Sequence, residues 1–206
     1  ANPRTRGRAL ASGRLSVAQG WAAAGIAAGA FIGATALFGV CFGNWWPARL
    51  SVPVLAWIAF YSLTKRFTAL CHFFLGGALA ASPVAAAIAI DPSTVILPLW
   101  PPSVASVWCL SAMVVCWVAG FDVIYALQDL EHDRGAGLRS IPARLGWRGA
   151  VWVSRGLHAL AFAWLLLAWL GDGRLGWLFG SGVALVGGLL IAEHIDVGLA
   201  TVYRVL

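Results

Sequence analysis

An all-α bundle of helices that crosses a membrane several times is the fold class that this sequence predicts. Hydrophobic residues make up 61% of the 206 residues and charged residues only 11%, a composition outside the range of ordinary soluble domains. Several stretches contain no charged side chain over the roughly 20 residues that a helix needs to cross a bilayer core about 30 Å thick. These stretches are apolar on every side, whereas a membrane β-barrel requires short segments of alternating polarity.

Each predicted helix lies in or around a charge-free run. The runs cover residues 15–48, 50–64, 67–90, 92–121, 156–171 and 175–192. From them we predict six transmembrane helices, at 17–42, 48–65, 67–90, 103–127, 148–171 and 175–194.

The predicted helices differ in the sequence features that favour them. The first, third and sixth are rich in small residues, as in "AAAGIAAGAFIGA", "LGGALAASPVAAA" and "GSGVALVGG", which favour close helix packing in lipid. The second is the shortest and relies on Arg49 and Lys65 extending to the two interfaces. The fourth runs into a polar stretch, and the fifth begins near "LGWRGAVW", where tryptophan suits the headgroup boundary.

The basic residues are distributed unequally between the two ends of the predicted bundle. With six helices threaded in order, twelve of the fourteen Lys and Arg residues fall on one side, and only Arg49 and Arg174 fall on the other. This asymmetry predicts that the basic side faces the cytoplasm. We therefore expect an integral protein of a bacterial inner membrane, surrounded by lipid, with no nucleic-acid partner and no evident protein partner.

The stretch "FDVIYALQDLEHDRGAGLRS", residues 121–140, lies on the basic side. On a regular helix Asp122, Tyr125, Asp129 and Asp133 follow each other at i, i+3, i+7 and i+11, which places them on one face. An ionisable group within an apolar span, such as Asp122, costs about 2.5 to 3.5 kcal/mol on insertion scales and usually faces a cavity. The spacing predicts a polar stripe that leads from inside the membrane to a cytoplasmic cavity.

Acids and bases together indicate the kind of ligand. Asp129 and Asp133 can present carboxylate oxygens to Mg²⁺, which commonly takes one or two carboxylates plus phosphate oxygens. Lys65 and the arginines on the same side suit phosphate groups. A metal-bound diphosphate on a lipid tail is one interpretation, and an ordinary basic loop with interspersed acids is the other. His132 is more typical of a solvated loop residue than of a metal ligand. The case for His158 and His194 as ligands is weaker still, and His72 and Glu193 fit packed polar groups.

Four stretches resemble the UbiA superfamily of intramembrane aromatic prenyltransferases. "DVIYALQDLEHDRGAGLRSIPARLG" is similar to its second aspartate-rich motif, D-x-x-Y-A-x-x-D-x-x-x-D-x-x-x-G-x-x-S. "NPRTRGRALASGRLS" resembles the segment after the first such motif, and "YSLTKRFTALCHFFLGGALAASPV" resembles the lysine-bearing connection and the helix after it. "EH" at 193 and 194 matches a pair in the eighth helix of the family.

The resemblance implies a nine-helix fold, of which this chain would hold the third to the eighth helix. It also implies that Asp129 and Asp133, with Asp122 nearby, hold Mg²⁺ on a polyprenyl diphosphate. We expect Asp122, Asp129, Asp133 and Lys65 to serve in catalysis. The side chains expected to bind the diphosphate are Arg8, Lys65, Arg66, Tyr125 and Arg139.

The expected function is transfer of a polyprenyl group from its diphosphate to a hydroxylated aromatic acid, with 4-hydroxybenzoate as the leading acceptor in quinone synthesis. A dihydroxynaphthoate acceptor of menaquinone synthesis is an open alternative. We expect residues 1–206 to form a single transmembrane domain that lacks the helices bearing the first aspartate-rich motif and the C-terminal helix. A membrane transporter and an inactive truncated remnant are the alternatives of other classes.

Overall fold

The computed structural model describes residues 2, 4–96 and 102–203, and this part of the chain contains helices and no strands. The all-α prediction is therefore confirmed. The helices are α1 Val17–Phe42, α2 Trp46–Thr64, α3 Cys71–Ile90, α4 Ser93–Ile96, α5 Pro102–Ala126, α6 Leu130–Gly135, α7 Ile141–Gly171 and α8 Trp177–Tyr203. The chain forms two compact units, Ala1–Trp57 and Ile58–Leu206, with the boundary inside α2.

Within the residues that the structure describes, five segments are long and apolar enough to cross a membrane: Val17–Phe42, Cys71–Ile90, Ala105–Gly135, Ile141–Gly171 and Trp177–Asp196. They correspond to five of the six predicted transmembrane helices. The remaining predicted helix is helical as α2 but is not among these five segments.

Several predicted helix boundaries are wrong. The helix predicted from 67 begins at Cys71, because residues 65–70 form turns between α2 and α3. α7 begins at Ile141, before the predicted 148, where the Ser140 side chain caps the first turn by accepting from the Ala143 amide, but the part of α7 after the break at Gly146 starts close to the predicted position. Gly146 interrupts this helix at φ 70°, a left-handed conformation that other L-residues adopt only with strain. The sixth predicted helix ends at Tyr203, beyond the predicted 194.

In the first unit, α1 begins at a complete capping box. The Ser16 hydroxyl accepts from the Gln19 amide at 3.1 Å, and the Gln19 side chain accepts from the Ser16 amide at 2.9 Å. The two bonds satisfy amides that the start of a helix leaves without intrahelical partners.

In the second unit, α5 packs between α3 and α7, and α8 packs against α7. Glycines permit the close approach. A Cβ at Gly76 of α3 would lie 2.6 Å from the Val115 carbonyl oxygen of α5, and a Cβ at Gly120 of α5 would lie 2.5 Å from the His158 ring of α7. The expected packing through small residues is present at both contacts.

The polar stretch does not form one regular helix. α5 ends at Ala126, a 3-10 turn occupies Leu127–Asp129, and α6 follows. A 3-10 turn has three residues per turn where an α-helix has 3.6, so the regular helix assumed in predicting the stripe of Asp122, Tyr125, Asp129 and Asp133 is interrupted. Tyr125 is 41% exposed whereas Asp133 is 1% exposed, so these two side chains of the stretch lie in different surroundings.

At the other end of the second unit, the start of α5 meets the end of α7. The Ser106 hydroxyl donates to Asp172 Oδ2 at 3.4 Å, and Arg174 Nη2 donates to the same oxygen at 2.7 Å. Hydrogen bonds from Arg174, followed by its charge, lower the pKa of Asp172 from 3.8 to about 2. The predicted connector "GDGR" thus has an internal ion pair that closes the turn.

Candidate functional site

The most buried acid of the polar stretch, Asp133, is held by a lysine and a serine. Lys65 Nζ lies 2.7 Å from Asp133 Oδ2, and the Ser140 hydroxyl donates to the same oxygen at 3.0 Å. Asp133 is 1% exposed and the Lys65 side chain is 30% exposed. Because an unpaired buried carboxylate is costly, the ammonium group and the hydroxyl together stabilise it, while the lysine remains open to solvent or a ligand.

Hydrogen bonds beside this ion pair join two loops, the α2–α3 connection and the segment between α6 and α7. The Arg139 amide donates to the Lys65 carbonyl at 2.7 Å, and Arg139 Nη1 donates to the Phe67 carbonyl at 2.8 Å. Gly137 has φ 66°, which lets the chain turn sharply between α6 and these contacts. The α2–α3 connection, which carries the predicted lysine, is therefore fixed to the end of the aspartate-rich stretch.

Asp122 has a separate partner, His72 at the start of α3. His72 Nδ1 lies 2.7 Å from Asp122 Oδ2, and the Ile141 amide donates to His72 Nε2 at 3.3 Å. The imidazole is 1% exposed and the Asp122 side chain is 23% exposed. Asp122 is thus oriented by His72 while part of its side chain stays exposed, and the cavity expected beside it stays a prediction.

The other predicted site residues lie in different surroundings. Asp129 is buried in the 3-10 turn. Tyr125 is exposed and stacks on Phe121, with ring centroids 6.4 Å apart, and Arg66 is exposed on the α2–α3 connection. Arg8 is exposed in the first unit, and its expected role in binding diphosphate stays a prediction.

A basic cavity of about 570 Å³ opens beside the joined loops. Its lining includes Arg134, Arg139 and Arg144 and no acidic residue. Arg134 Nε donates to the Ala143 carbonyl at 3.1 Å, so two of the three guanidinium groups are fixed by backbone carbonyls while keeping further donors. Clustered guanidinium groups suit phosphate oxygens, which agrees with the basic side that the sequence predicts.

Two histidines for which the sequence gives only a weak case as metal ligands form a second polar contact, between α7 and α8. His158 Nδ1 and His194 Nε2 are 2.9 Å apart, and Arg155 Nη2 donates to the His194 carbonyl at 3.2 Å. Glu193 Oε2 is 3.9 Å from His158 Nδ1. The two rings contact each other, while His158 Nε2 and His194 Nδ1 have no hydrogen-bond partner among the described residues.

The donor chemistry of the aspartate-rich stretch fits a hard cation in part. Asp129 and Asp133 offer carboxylate oxygens, which Mg²⁺ prefers. Among the described residues no group of three or more Asp, Glu, His or Cys side chains is placed to enclose a metal. A cation here would therefore need oxygens from a ligand such as a diphosphate, which is how Mg²⁺ commonly binds beside phosphates.

The sequence did not identify two residues of this site, Ser140 and His72. Ser140 stands at the end of the quoted motif, and its position before "IP" is the signal of a helix cap that could have identified it. His72 is a polar residue at the start of an apolar run, and nothing in its spacing indicates Asp122 as its partner, 50 residues away.

Fold and site together define a polytopic helical membrane protein with a paired acidic and basic site at one end of its bundle. The profile of the UbiA prenyltransferase family matches residues 1–201. The chain belongs to that family, and the resemblance of its motifs is confirmed.

Individual relatives agree with the family. The chain is 33% identical over 192 residues to the 4-hydroxybenzoate octaprenyltransferase of Chromohalobacter salexigens, covering 93% of this chain and 59% of the relative. It is 32% identical over 153 residues to the 4-hydroxybenzoate geranyltransferase 1 of Lithospermum erythrorhizon, covering 73% of this chain and 45% of the relative. The chain thus spans less than two thirds of the length of these curated relatives.

A solved structure supports the fold. The apo structure of a UbiA homolog from Aeropyrum pernix K1 matches with a TM-score of 0.68 and 30% sequence identity, over 96% of this chain and 78% of that chain.

Proposed function

We propose that this chain is part of an integral membrane prenyltransferase that moves a polyprenyl group from its diphosphate to a hydroxylated aromatic acid, with 4-hydroxybenzoate as the acceptor. The observation that carries the proposal is the Lys65–Asp133–Ser140 cluster beside the arginine-lined cavity. Acids and fixed bases lie together at one end of an apolar bundle, as a lipid-linked diphosphate requires. Family membership and the names of the relatives support the reaction class.

In this reaction the bond between the allylic prenyl carbon and the diphosphate oxygen breaks, and its electron pair leaves with the diphosphate. A ring carbon of the acceptor forms the new bond to the prenyl carbon and then loses its proton. Charge develops on the departing oxygens, so catalysis depends on positioned positive groups. Mg²⁺, when bound to the diphosphate, would supply such charge and be held by Asp129 and Asp133 with Asp122 nearby.

The side chains have distinct roles in the proposal. Lys65, now paired with Asp133 at 2.7 Å, is 30% exposed and can share its donors with a phosphate oxygen. Arg139 and Arg66 lie on the joined loops and bind the outer phosphate, while Tyr125 is exposed next to the acids. The expected role of Arg8, in the segment after the first aspartate-rich motif, stays a prediction.

An apolar cavity of about 630 Å³ between α7 and α8 supports a lipid substrate. Most of its lining is apolar, including Phe162, Leu190 and Ile191, which suit an isoprenoid chain, and it also includes Arg155, His158 and His194. A water-poor surface also protects an allylic cation from hydrolysis. We place the basic end of the bundle on the cytoplasmic face of a bacterial inner membrane, on the strength of the charge asymmetry.

The acceptor is tested with the natural-length protein in membrane vesicles. These receive MgCl₂ and a long-chain polyprenyl diphosphate, with 4-hydroxybenzoate or 1,4-dihydroxy-2-naphthoate as acceptor, and prenylated product is measured by mass spectrometry. We expect product with 4-hydroxybenzoate. Product with the naphthoate alone would move the protein to the menaquinone branch, and no product with either acid would contradict the proposal.

A further inference from the structure

We propose that His72 is a positioning residue that orients the Asp122 carboxylate relative to Asp133, and so sets the geometry in which the chain binds a metal diphosphate. The inference rests on the proposed function, because it concerns the same site. It goes beyond that function by assigning a role to a buried histidine of α3.

The hydrogen bonds of His72 define its tautomer. The Ile141 amide can only donate, and it lies 3.3 Å from His72 Nε2, so Nε2 accepts and the proton of the neutral ring is on Nδ1. Nδ1 therefore donates to Asp122 Oδ2, 2.7 Å away. The ring is 1% exposed, so both of its nitrogens are used in directed bonds away from bulk solvent.

The bonds of His72 connect the two acids. Ile141 directly follows Ser140, whose hydroxyl donates to Asp133 Oδ2 at 3.0 Å. The path from Asp122 through His72 to Ile141, and from Ser140 to Asp133, joins α3, α5, α6 and α7. Through it the start of α7 fixes both carboxylates.

This connection compensates for the irregular backbone between the acids. The 3-10 turn at Leu127–Asp129 interrupts the helix that would otherwise set their relative orientation. A side chain anchored on a different helix can hold Asp122 in one rotamer, as outer-shell partners commonly do for carboxylates and histidines at metal sites. Asp122 remains 23% exposed, so it is oriented without being closed off from a ligand.

Two variants separate the two hydrogen bonds. In His72→Asn the side-chain amide can take the place of Nδ1–H and donate to Asp122, but it cannot reach Ile141. In His72→Gln the longer side chain can accept from the Ile141 amide in place of Nε2, and the donor to Asp122 is lost. If His72 merely packs, the two variants should behave alike, since each keeps one bond.

The readout is the concentration of MgCl₂, with inorganic pyrophosphate at a fixed level, that half-maximally raises the melting temperature of the natural-length protein in detergent. We expect His72→Gln to raise this concentration about 10- to 100-fold, the usual effect of losing an outer-shell partner. We expect His72→Asn, which keeps the donor to Asp122 but loses the bond to Ile141, to raise it less than His72→Gln does. The melting temperatures without ligand show whether each variant folds.

Asp122→Asn serves as the reference that separates the two hypotheses. If Asp122→Asn weakens the stabilisation by MgCl₂ and pyrophosphate and His72→Gln does not, the positioning role of His72 is wrong while the proposed site stands. If Asp122→Asn leaves the response unchanged, the assignment of Asp122 to the metal diphosphate is wrong, and the role of His72 is contradicted with it. An equal increase of the half-maximal MgCl₂ concentration in His72→Asn and His72→Gln would show that His72 acts only by packing.

Discussion

Removing the ammonium group of Lys65 should destabilise the chain more than removing a neighbouring surface cation. Lys65→Met leaves the Asp133 carboxylate 1% exposed with the Ser140 hydroxyl as a remaining donor. Breaking a fully buried ion pair costs about 3–5 kcal/mol. Lys65 is 30% exposed, and a hydrogen bond to a charged group contributes about 1.5–3 kcal/mol, so we expect a loss of about 2–3 kcal/mol in the free energy of unfolding.

Substitution of Asp133 should lower the free energy of unfolding less than substitution of Lys65. Asp133→Asn leaves a lysine that water can reach, and exposed pairs contribute only about 0–1 kcal/mol. The double variant Lys65→Met/Asp133→Asn removes the stranded charge while the amide oxygen still accepts from Ser140, so it should recover most of the stability lost in Lys65→Met.

The assay is a denaturant titration in detergent micelles, with Arg66→Met as the matched control because Arg66 is exposed on the same connection. Comparison of the unmodified protein with the two single variants and the double variant yields the coupling energy between Lys65 and Asp133. A Lys65→Met protein as stable as Arg66→Met, or a double variant no more stable than Lys65→Met, would refute the reasoning.

Two further predictions concern packing and pH. Gly76→Ala should lower the free energy of unfolding by about 1–3 kcal/mol, because its Cβ would lie 2.6 Å from the Val115 carbonyl oxygen. Gly156→Ala is the control, since a Cβ there would have no atom within 4 Å. Equal melting temperatures of the two variants would argue against close α3–α5 packing. Because the pKa of Asp172 is lowered from 3.8 to about 2, its contribution to stability is present above pH 4 and is lost as the pH falls towards 2. The melting-temperature difference between the unmodified protein and Arg174→Gln should therefore be constant above pH 5 and shrink between pH 4 and 2, and a difference that does not change over that range would contradict the ion pair.

The fold could be predicted largely from hydrophobicity, because long charge-free runs leave few alternatives in a membrane. α1 has the predicted bounds at Val17–Phe42, since apolar residues fill the whole segment. The predicted helix boundaries are wrong where a helix cap or a turn, and not the run of hydrophobic residues, determines where a helix begins. Ser140 caps α7 and Gly146 breaks it, so the helix begins in a polar segment that composition assigns to a loop.

The candidate site could be predicted only as a set of residue types. The acids and Lys65 were identified from their pattern and from the family resemblance, and the Lys65–Asp133 contact brings two of them together. The partners His72 and Ser140 depend on contacts between distant segments and on the 3-10 turn at Leu127–Asp129. A helical period applied along the sequence does not anticipate such a turn, because its tighter winding changes which face each later side chain occupies.

Prenyl transfer by Asp133→Asn, compared with Glu131→Gln in the same membranes, tests the central claim most directly. Glu131 is exposed and lies between the two acids assigned to Mg²⁺ and the diphosphate, so its substitution controls for the loss of a nearby negative charge. With MgCl₂, a polyprenyl diphosphate and 4-hydroxybenzoate supplied to the natural-length protein, the account predicts that transfer is abolished in Asp133→Asn and normal in Glu131→Gln. Normal transfer in a folded Asp133→Asn protein would contradict it.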